Sequence, residues 1–184
     1  MDLTELPRLP AGKYELRAFR QGDAHLVRSA ARDPYIAAVT SLPTTPTARS
    51  AAEFIDRQIG RLQEGSGYSF AIAAAAGDRA CGQIGLWPDP LRLGTATVGY
   101  WLVPEERGKG IATAALGVIT HWATATCGMD VLELFIDPAN VSSIAVAERS
   151  GYKFQRRALQ SRLVGGDPAD MDIYAFATGA VNAR

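Results

Sequence analysis

YWLVPEERGKGIATAALG, residues 100–117, joins a predicted strand to a predicted helix through a turn that contains two glycines. The run 95–103 alternates sides as a strand does, and a helical pattern begins at Ile111. Glycine allows the backbone to approach a ligand closely, and the start of a helix offers unpaired N–H groups and a positive dipole end. Arg107 and Lys109 add positive charge, so the turn is suited to binding phosphate.

Two familiar phosphate-binding turns fit this segment poorly. A Walker A loop requires Ser or Thr after Gly-Lys, whereas Gly110 follows Gly108-Lys109. A dinucleotide-binding fingerprint ends in Gly or Ala, and the corresponding residue here is Thr113. Asp137 does end the next apolar run, as a ribose-binding acid would, so the dinucleotide interpretation stays open.

A third pattern fits better. Arg107-x-x-Gly110-x-Ala112 resembles the Gln/Arg-x-x-Gly-x-Gly/Ala motif of the GNAT acetyltransferase superfamily, which binds the pyrophosphate of acetyl-coenzyme A. A tight strand-to-helix turn with two solvated cations would show the same short pattern. The motif therefore needs support from elsewhere in the chain.

That support comes from three further segments and from a longer match around the motif itself. Asn140, Ser143 and Gly151-Tyr152 resemble the Asn-x-x-Ser/Ala…Gly-Phe/Tyr segment that follows the fifth strand of GNAT enzymes. Three segments resemble the RimJ/RimL type, the ribosomal-protein N-terminal acetyltransferases: LRAFRQGDA at 16–24, GYWLVPEERGKG at 99–110 and GGDPADMDIYA at 165–175. The resemblance extends over about residues 16–177, which is nearly the whole chain.

The resemblance implies the α+β fold of GNAT proteins, in which helices flank a mixed, mostly antiparallel sheet. A single domain would cover residues 1–184, with a loose arm over about residues 1–12. In GNAT proteins the fourth and fifth strands splay apart. Here those strands would be residues 95–103 and 131–136.

Local patterns predict individual elements. Asp23 and Thr47 each precede an apolar stripe at helical spacing, which predicts two helix caps. Gly77-Asp78 predicts a two-residue hairpin turn of the kind that places glycine first. Residues 35–46 have a mixed pattern and end in a predicted loop.

The resemblance also implies how acetyl-CoA is held. The pantetheine arm would lie between the diverging strands, bonded to backbone groups of Leu102 and Val103, where an N–H would polarise the thioester carbonyl. Asn140 would bond the pantetheine as well as cap the following helix, and Arg149 is a candidate for the phosphate-bearing ribose. The implied cofactor-binding residues are Leu102, Val103, Arg107, Gly108, Lys109, Gly110, Ile111, Ala112, Asn140 and Ser143.

The implied reaction is direct attack of a neutral amine on the acetyl carbonyl in a ternary complex, with coenzyme A leaving as thiolate. Many GNAT members carry a Tyr seven residues after the Asn as the acid, but this chain has Ala147 there. Ser143 is the remaining hydroxyl and the candidate catalytic acid. A serine that only bonds the coenzyme fits the sequence equally well.

The sequence does not single out a general base. Many relatives have a Glu two residues before the Gly-Tyr of the fourth strand, where this chain has Thr97. Glu105 and Glu106 lie near the glycine turn but fit solvated loop acids, and Asp137 and the two histidines are weaker candidates. An α-amine has a pKa of about 7.7–8, so part of it is already neutral near physiological pH and water could accept its proton.

The composition and net charge of the chain limit the kinds of partner that it is expected to bind. The formal net charge of the 184 residues is zero, so no global field attracts nucleic acid or an anionic membrane. Cys81 and Cys127 lie in apolar runs, and no Cys/His spacing suggests a metal. The start MDLTELPRLPAG lacks the apolar core of a signal peptide, and no apolar run reaches the roughly 18 residues of a membrane span. These features predict a cytoplasmic protein that binds neither nucleic acid nor membrane.

The leading hypothesis is an acetyl-CoA-dependent N-acetyltransferase that acts on a primary amine such as a protein N-terminus. One alternative is acetylation of a small amine, such as an amino acid, a polyamine or an aminoglycoside. Another is a non-catalytic acyl-CoA-binding module, because the Tyr and Glu of many relatives are absent. The presumed acceptor loops, about residues 35–46 and 87–94, show no acid cluster that would favour a polycation. A homodimer is left open.

Overall fold

The computed structural model describes residues 4–179, which form one mixed sheet with helices packed against it. The strands are β1 (Leu9–Ala11), β2 (Tyr14–Ala18), β3 (Tyr68–Ala74), β4 (Ala80–Pro88), β5 (Thr95–Leu102), β6 (Val131–Ile136), β7 (Lys153–Val164) and β8 (Asp167–Ala177). The helices are α1 (Ala24–Ala30), α2 (Pro34–Val39), α3 (Ala48–Gly60), α4 (Ile111–Ala125) and α5 (Val141–Arg149). The strand order across the sheet is β1-β2-β3-β4-β5-β6-β8-β7.

Neighbouring strands pair antiparallel except β5 and β6, which are parallel. Parallel strands require a crossover connection, and α4 supplies it. The α+β class with a mixed, mostly antiparallel sheet is therefore confirmed. Within the described residues, no helix is both long enough and apolar enough to cross a membrane.

β5 and β6 diverge soon after they begin. Their paired residues are Thr95 with Val131, Ala96 with Leu132 and Thr97 with Glu133. β5 then continues to Leu102 and β6 to Ile136 without further pairing between them. A gap consequently opens towards the C-terminal ends of both strands, which confirms the predicted divergence.

α4 is fixed to the sheet by its apolar side. The ring of Trp122 packs edge-on against Tyr68 at 5.1 Å and against Phe70 at 5.3 Å between centroids. Ile111 at the start of the helix is also buried. Because both ends of α4 are anchored, the glycine turn before it has a defined position beside the gap.

β1 occupies part of the predicted loose arm, so that prediction is wrong for residues 9–11. Leu9 pairs with Leu16 and Pro10 with Glu15, on the outer side of β2. Proline interrupts most strand patterns, but on an edge strand its missing N–H need not remove a ladder hydrogen bond. Residues 1–3 of the arm and 180–184 of the predicted domain lie outside the described residues.

α2 forms where an irregular segment was predicted. Asp33 caps it by accepting a hydrogen bond from the N–H of Tyr35 at 2.9 Å, and Pro34 takes the first helical position. Proline is favoured there because that N–H has no partner within a helix anyway. The helix buries Ile36 and brings Tyr35 to the gap between β5 and β6.

The two predicted caps have different outcomes. Thr47 caps α3 as expected, accepting the N–H of Ser50 at 3.1 Å. Asp23 makes no side-chain cap bond to α1. Its buried carboxylate instead accepts two hydrogen bonds from Arg17, at 2.7 and 2.9 Å.

The predicted two-residue turn after β3 is longer than expected. The N–H of Ala74 bonds the carbonyl of Arg79 at 3.0 Å, and five residues, 75–79, lie between the end of β3 and the start of β4. Gly77 and Asp78 both have positive φ, at 79° and 53°. Asp78 adopts this conformation while its carboxylate accepts a hydrogen bond from Nε of Arg17 at 2.5 Å.

Candidate functional site

Two cavities meet where β5 and β6 diverge. One, of about 690 Å³, is lined by the glycine turn and by the starts of α4 and α5, and we call it the loop cavity. The other, of about 640 Å³, is lined by Phe54, Trp87, Trp101 and Phe135 among others, and we call it the aromatic cavity. Seven residues line both cavities and form their junction: Tyr35, Val39, Tyr100, Trp101, Asp137, Asn140 and Ser143.

The glycine turn leaves the start of α4 open. Gly110 precedes the helix with φ of 75° and provides no side-chain cap, so the first N–H groups of the helix have no intrahelical partner. Gly108, Gly110, Ile111, Ala112 and Thr113 all line the loop cavity. A Cβ added at Gly110 would meet no atom within 4 Å. This arrangement fits an anion held by backbone N–H groups at a helix start.

Arg107 contributes less free charge to this turn than its sequence position suggests. Its guanidinium donates to the carbonyl of Leu102 at 3.1 and 3.2 Å and to the carboxylate of Asp33 at 2.5 Å. Burial alone would raise the pKa of Asp33, but the hydrogen bond from Arg107 and the bond from the N–H of Tyr35 outweigh it and lower that pKa. Arg107 therefore ties the turn to β5 and to the start of α2.

Lys109 does not line either cavity. Its ammonium bonds the carboxylate of Glu106 at 2.8 Å on the protein surface. The prediction that Lys109 adds charge at the binding site is thus not supported by its position.

Of the two predicted backbone partners, Leu102 and Val103, only Leu102 faces the gap. The N–H of Val103 donates to the carbonyl of Cys81 on β4 at 3.0 Å, and its carbonyl accepts from Glu106. Val103 is buried and lines neither cavity, so the predicted role for its backbone is wrong. Backbone groups alternate sides along a strand, so those of Tyr100 and Leu102 point away from β4 and towards the gap.

The start of α5 places three polar side chains at the junction. Asn140 caps the helix, since its Oδ1 accepts the N–H of Ser143 at 3.1 Å and the hydroxyl of Ser142 at 2.8 Å. Asp137 accepts the N–H of Ala139 at 2.8 Å and so closes a turn. The hydroxyl of Ser143 makes no hydrogen bond within residues 4–179 and lies on the boundary between the cavities.

Two tyrosines complete the junction, and the sequence patterns gave neither of them a role. The hydroxyl of Tyr100 is buried and has no hydrogen-bond partner in the described part of the chain. Burial raises its pKa, and the nearby side chain of Ser143 lowers it by less. Burial also raises the pKa of Tyr35, against a lowering effect of Asn140. Both phenols therefore stay neutral at physiological pH and can act as hydrogen-bond donors.

The candidate bases lie mostly away from the junction. Glu105 pairs with Arg32 at 3.2 Å on the surface, and neither Glu105 nor Glu106 lines a cavity. His25 and His121 line neither cavity either, whereas Thr97 lines the aromatic cavity. Residues 4–179 contain no group of three or more His, Cys, Asp or Glu side chains able to hold a metal ion. Asp137 is thus the acidic side chain that the structure brings to the junction.

Known proteins that are similar in sequence or in fold identify the family to which this chain belongs. Over 118 residues the chain is 30% identical to Probable N-acetyltransferase YjcK of Bacillus subtilis (strain 168). The aligned region covers 63% of this chain and 65% of that protein. The chain spans less than two thirds of the length of the curated relatives it matches.

Solved structures share the fold. RimJ of Mycobacterium smegmatis, solved in complex with CoA-disulfide, superposes with a TM-score of 0.81 at 22% identity, covering 96% of this chain and 87% of that chain. Ribosomal-protein-S5-alanine acetyltransferase of Vibrio fischeri superposes with a TM-score of 0.77 at 16% identity, covering 97% and 100%. Residues 13–153, well over half of the chain, match the sequence profile described as Acetyltransferase (GNAT) domain. The chain therefore belongs to the GNAT acetyltransferase family.

Proposed function

We propose that this protein transfers an acetyl group from acetyl-CoA to a primary amine by direct attack in a ternary complex. The observation that carries the proposal is the meeting of two cavities at the divergence of β5 and β6. Acetyl-CoA would enter through the loop cavity and the amine through the aromatic cavity. Their reacting groups would meet beside Tyr100, Asn140 and Ser143, so no covalent enzyme intermediate is needed.

The residues of the loop cavity fit acetyl-CoA. The uncapped start of α4 would hold the pyrophosphate through the N–H groups of Ile111 and Ala112 and the glycines before them. The backbone of Leu102 faces the gap and would bond the pantetheine arm, and its N–H is placed to polarise the thioester carbonyl. Arg149 also lines this cavity and is the proposed partner of the phosphate on the ribose. RimJ of Mycobacterium smegmatis, which shares the fold, was solved with CoA-disulfide.

The proposed reaction forms a bond between the amine nitrogen and the acetyl carbon and breaks the bond between that carbon and sulfur. The amine gives up a proton to solvent, and the thiolate of coenzyme A takes one up. Ser143 is the proposed donor to sulfur, because its hydroxyl lies at the junction without a hydrogen-bond partner in the described residues. The neighbouring Tyr100 offers a second hydroxyl there.

A protein N-terminal α-amine is our first candidate acceptor. It is less basic than a lysine amine by more than two pKa units, so it needs less help from a base. That property suits a junction where Thr97 stands in place of the Glu of many relatives. The likeness in fold to ribosomal-protein acetyltransferases is consistent with this choice.

A screen of amines and N-terminal peptides for thiol release from acetyl-CoA tests the proposal. We expect release with at least one amine, at a rate that depends on the protein and on both substrates. Calorimetry of acetyl-CoA binding is the companion measurement. Binding without acetylation of any amine would instead indicate a non-catalytic acyl-CoA-binding module.

Glu105→Gln and Glu106→Gln are each expected to lower turnover by well under ten-fold. Neither side chain lines a cavity, and both are already paired with surface cations. Removing a positioned general base typically costs about 10²–10⁴-fold, whereas a solvated charge contributes little. Turnover measured from pH 6 to 9 should keep the wild-type profile, rising towards the pKa of the amine itself. A loss of a hundred-fold or more with an altered ascending limb would identify that Glu as the base.

A further inference from the structure

The charged side chains that line the aromatic cavity differ in whether they have a salt-bridge partner. They belong to Arg61, Arg162, Asp89 and Asp137. Asp89 is paired with Arg92, whose Nε donates to it at 2.7 Å while its terminal nitrogens donate to Glu133 at 2.9 and 2.7 Å. Neither Arg61 nor Arg162 forms a salt bridge with any residue from 4 to 179. The charged groups of the cavity that have no salt-bridge partner among the described residues are therefore the guanidinium groups of Arg61 and Arg162 and the carboxylate of Asp137.

Arg61 is held by a buried polar network. Its Nε donates to Oε1 of Gln58 at 3.0 Å, and that oxygen also accepts from Ser69 at 3.0 Å and from Gln83 at 2.9 Å. The indole N–H of Trp101 donates to Gln83 at 2.9 Å, and Gln58 and Gln83 are only 2% and 7% exposed. Because the network uses only Nε, the two terminal nitrogens of Arg61 remain available to a ligand. The same network fixes the Trp101 ring in the cavity wall.

Arg162 approaches the cavity from a different wall. It lies on β7, and its guanidinium stacks over the ring of Phe135 at 4.2 Å from the centroid. Stacking orients the planar group and leaves its N–H edge free for a carboxylate or phosphate. Six aromatic residues line the same cavity as the two arginines: Tyr35, Phe54, Trp87, Tyr100, Trp101 and Phe135.

The sign of the unpaired charges also differs between the junction and the rest of the aromatic cavity. Asp137 belongs to the junction with the loop cavity, whereas Arg61 and Arg162 line the aromatic cavity alone. An amine directed at the junction would approach the carboxylate, and the rest of the molecule would lie among rings and guanidinium groups. We infer that the acceptor carries an aromatic ring and, remote from its amine, an anionic group, either a carboxylate or a phosphate. This inference rests on the proposed acetyl transfer, and it excludes polyamines and aminoglycosides as preferred acceptors.

Four amino-acid amides with the same kind of α-amine test the inference. Tyrosine amide has a neutral ring. The rings of 4-carboxyphenylalanine amide and O-phosphotyrosine amide carry an anionic group, and that of 4-guanidinophenylalanine amide carries a cationic one. At least one anionic amide should exceed the neutral one in kcat/KM by about ten-fold or more, the scale of one charge-assisted hydrogen bond. The cationic amide should fall below the neutral one. The better of the two anionic amides identifies the preferred anion, carboxylate or phosphate.

Variants then locate the effect. Arg61→Gln and Arg162→Gln should each reduce the preference for the anionic amide by about five-fold or more, whereas neutral tyrosine amide should change little. Arg49→Gln on α3 and Arg156→Gln on β7 are matched controls outside both cavities and should keep the full preference. Equal kcat/KM for the neutral, anionic and cationic amides would overturn the inference and leave acetyl transfer intact.

A binding measurement separates this inference from the proposed function. Calorimetry with coenzyme A present should show tighter binding of O-phosphotyrosine amide or 4-carboxyphenylalanine amide than of tyrosine amide. That preference without thiol release from acetyl-CoA would contradict the proposed function while supporting an anion-binding cavity. No preference in binding or in turnover would overturn the inference itself.

Discussion

Gly110→Asp is expected to lower the affinity for acetyl-CoA by about a hundred-fold or more, from micromolar binding in the unaltered protein. Gly110 stands at the uncapped start of α4 and lines the loop cavity, and a Cβ added there would meet no atom within 4 Å. The new carboxylate would enter the space proposed for the pyrophosphate, so it would repel the ligand and also offer the helix N–H groups a competing acceptor. Calorimetry with acetyl-CoA measures the loss.

Gly128→Asp is the matched control for this variant. Gly128 has φ of 69°, follows the other end of α4 and also has open space at its Cβ position, but it lines neither cavity. The two variants share the same added charge and a similar backbone strain, so only the position differs. Gly128→Asp should bind acetyl-CoA as the unaltered protein does. Unchanged binding by a folded Gly110→Asp protein would contradict the proposed site, and a preference for NAD over acetyl-CoA would revive the dinucleotide interpretation.

The glycine turn could be predicted from sequence because its requirements are local. A left-handed backbone conformation before a helix favours glycine. The unpaired N–H groups of the first turn of α4 follow from the position of Gly110, which has no side chain to cap them. The cap by Asn140 is local in the same way, since it depends on the residue three positions later. These two local predictions therefore succeeded, whereas those at Asp23 and at Gly77-Asp78 failed, and both aspartates instead accept hydrogen bonds from Arg17.

The role of Val103 could not be decided from sequence because it depends on strand register. A backbone N–H points either to β4 or to the gap, and a shift of one residue exchanges the two sets. Pairing between Val103 and Cys81, twenty-two positions apart in the chain, fixes the choice. Leu102 consequently faces the gap and Val103 does not.

Side-chain partners far apart in the chain were also missed. Arg107 was assigned to phosphate from its place in the motif, but Asp33, 74 residues earlier, accepts its hydrogen bond. Tyr35 reaches the junction because α2 forms after Asp33, in a stretch where the sequence showed only a mixed pattern. Tyr100 was visible in the strand, but its unpaired buried hydroxyl is a property of the folded chain.

Ser143→Ala is expected to lower kcat by ten-fold or more with a modest change in the Michaelis constant for acetyl-CoA. If Ser143 gives a proton to the departing sulfur, its hydroxyl acts mainly in the transition state, and general acid catalysis contributes about 10²–10⁴-fold when fully used. The loss in kcat can be as small as about ten-fold, because water or a neighbouring hydroxyl can donate the proton in place of the lost serine. Steady-state rates with the acceptor saturating separate kcat from the Michaelis constant.

Tyr100→Phe is the variant that decides between the two hydroxyls at the junction. The hydroxyl of Tyr100 is buried and unpaired within residues 4–179, and burial holds its pKa above the ordinary value of 10.0. It stays protonated between pH 6 and 9, so its removal would change the rate across that range without moving the pH profile. With Ser143 as donor, Tyr100→Phe should cost less than Ser143→Ala. A larger loss in Tyr100→Phe would assign the proton to the phenol, and a rise in the Michaelis constant alone in Ser143→Ala would place that serine in coenzyme binding.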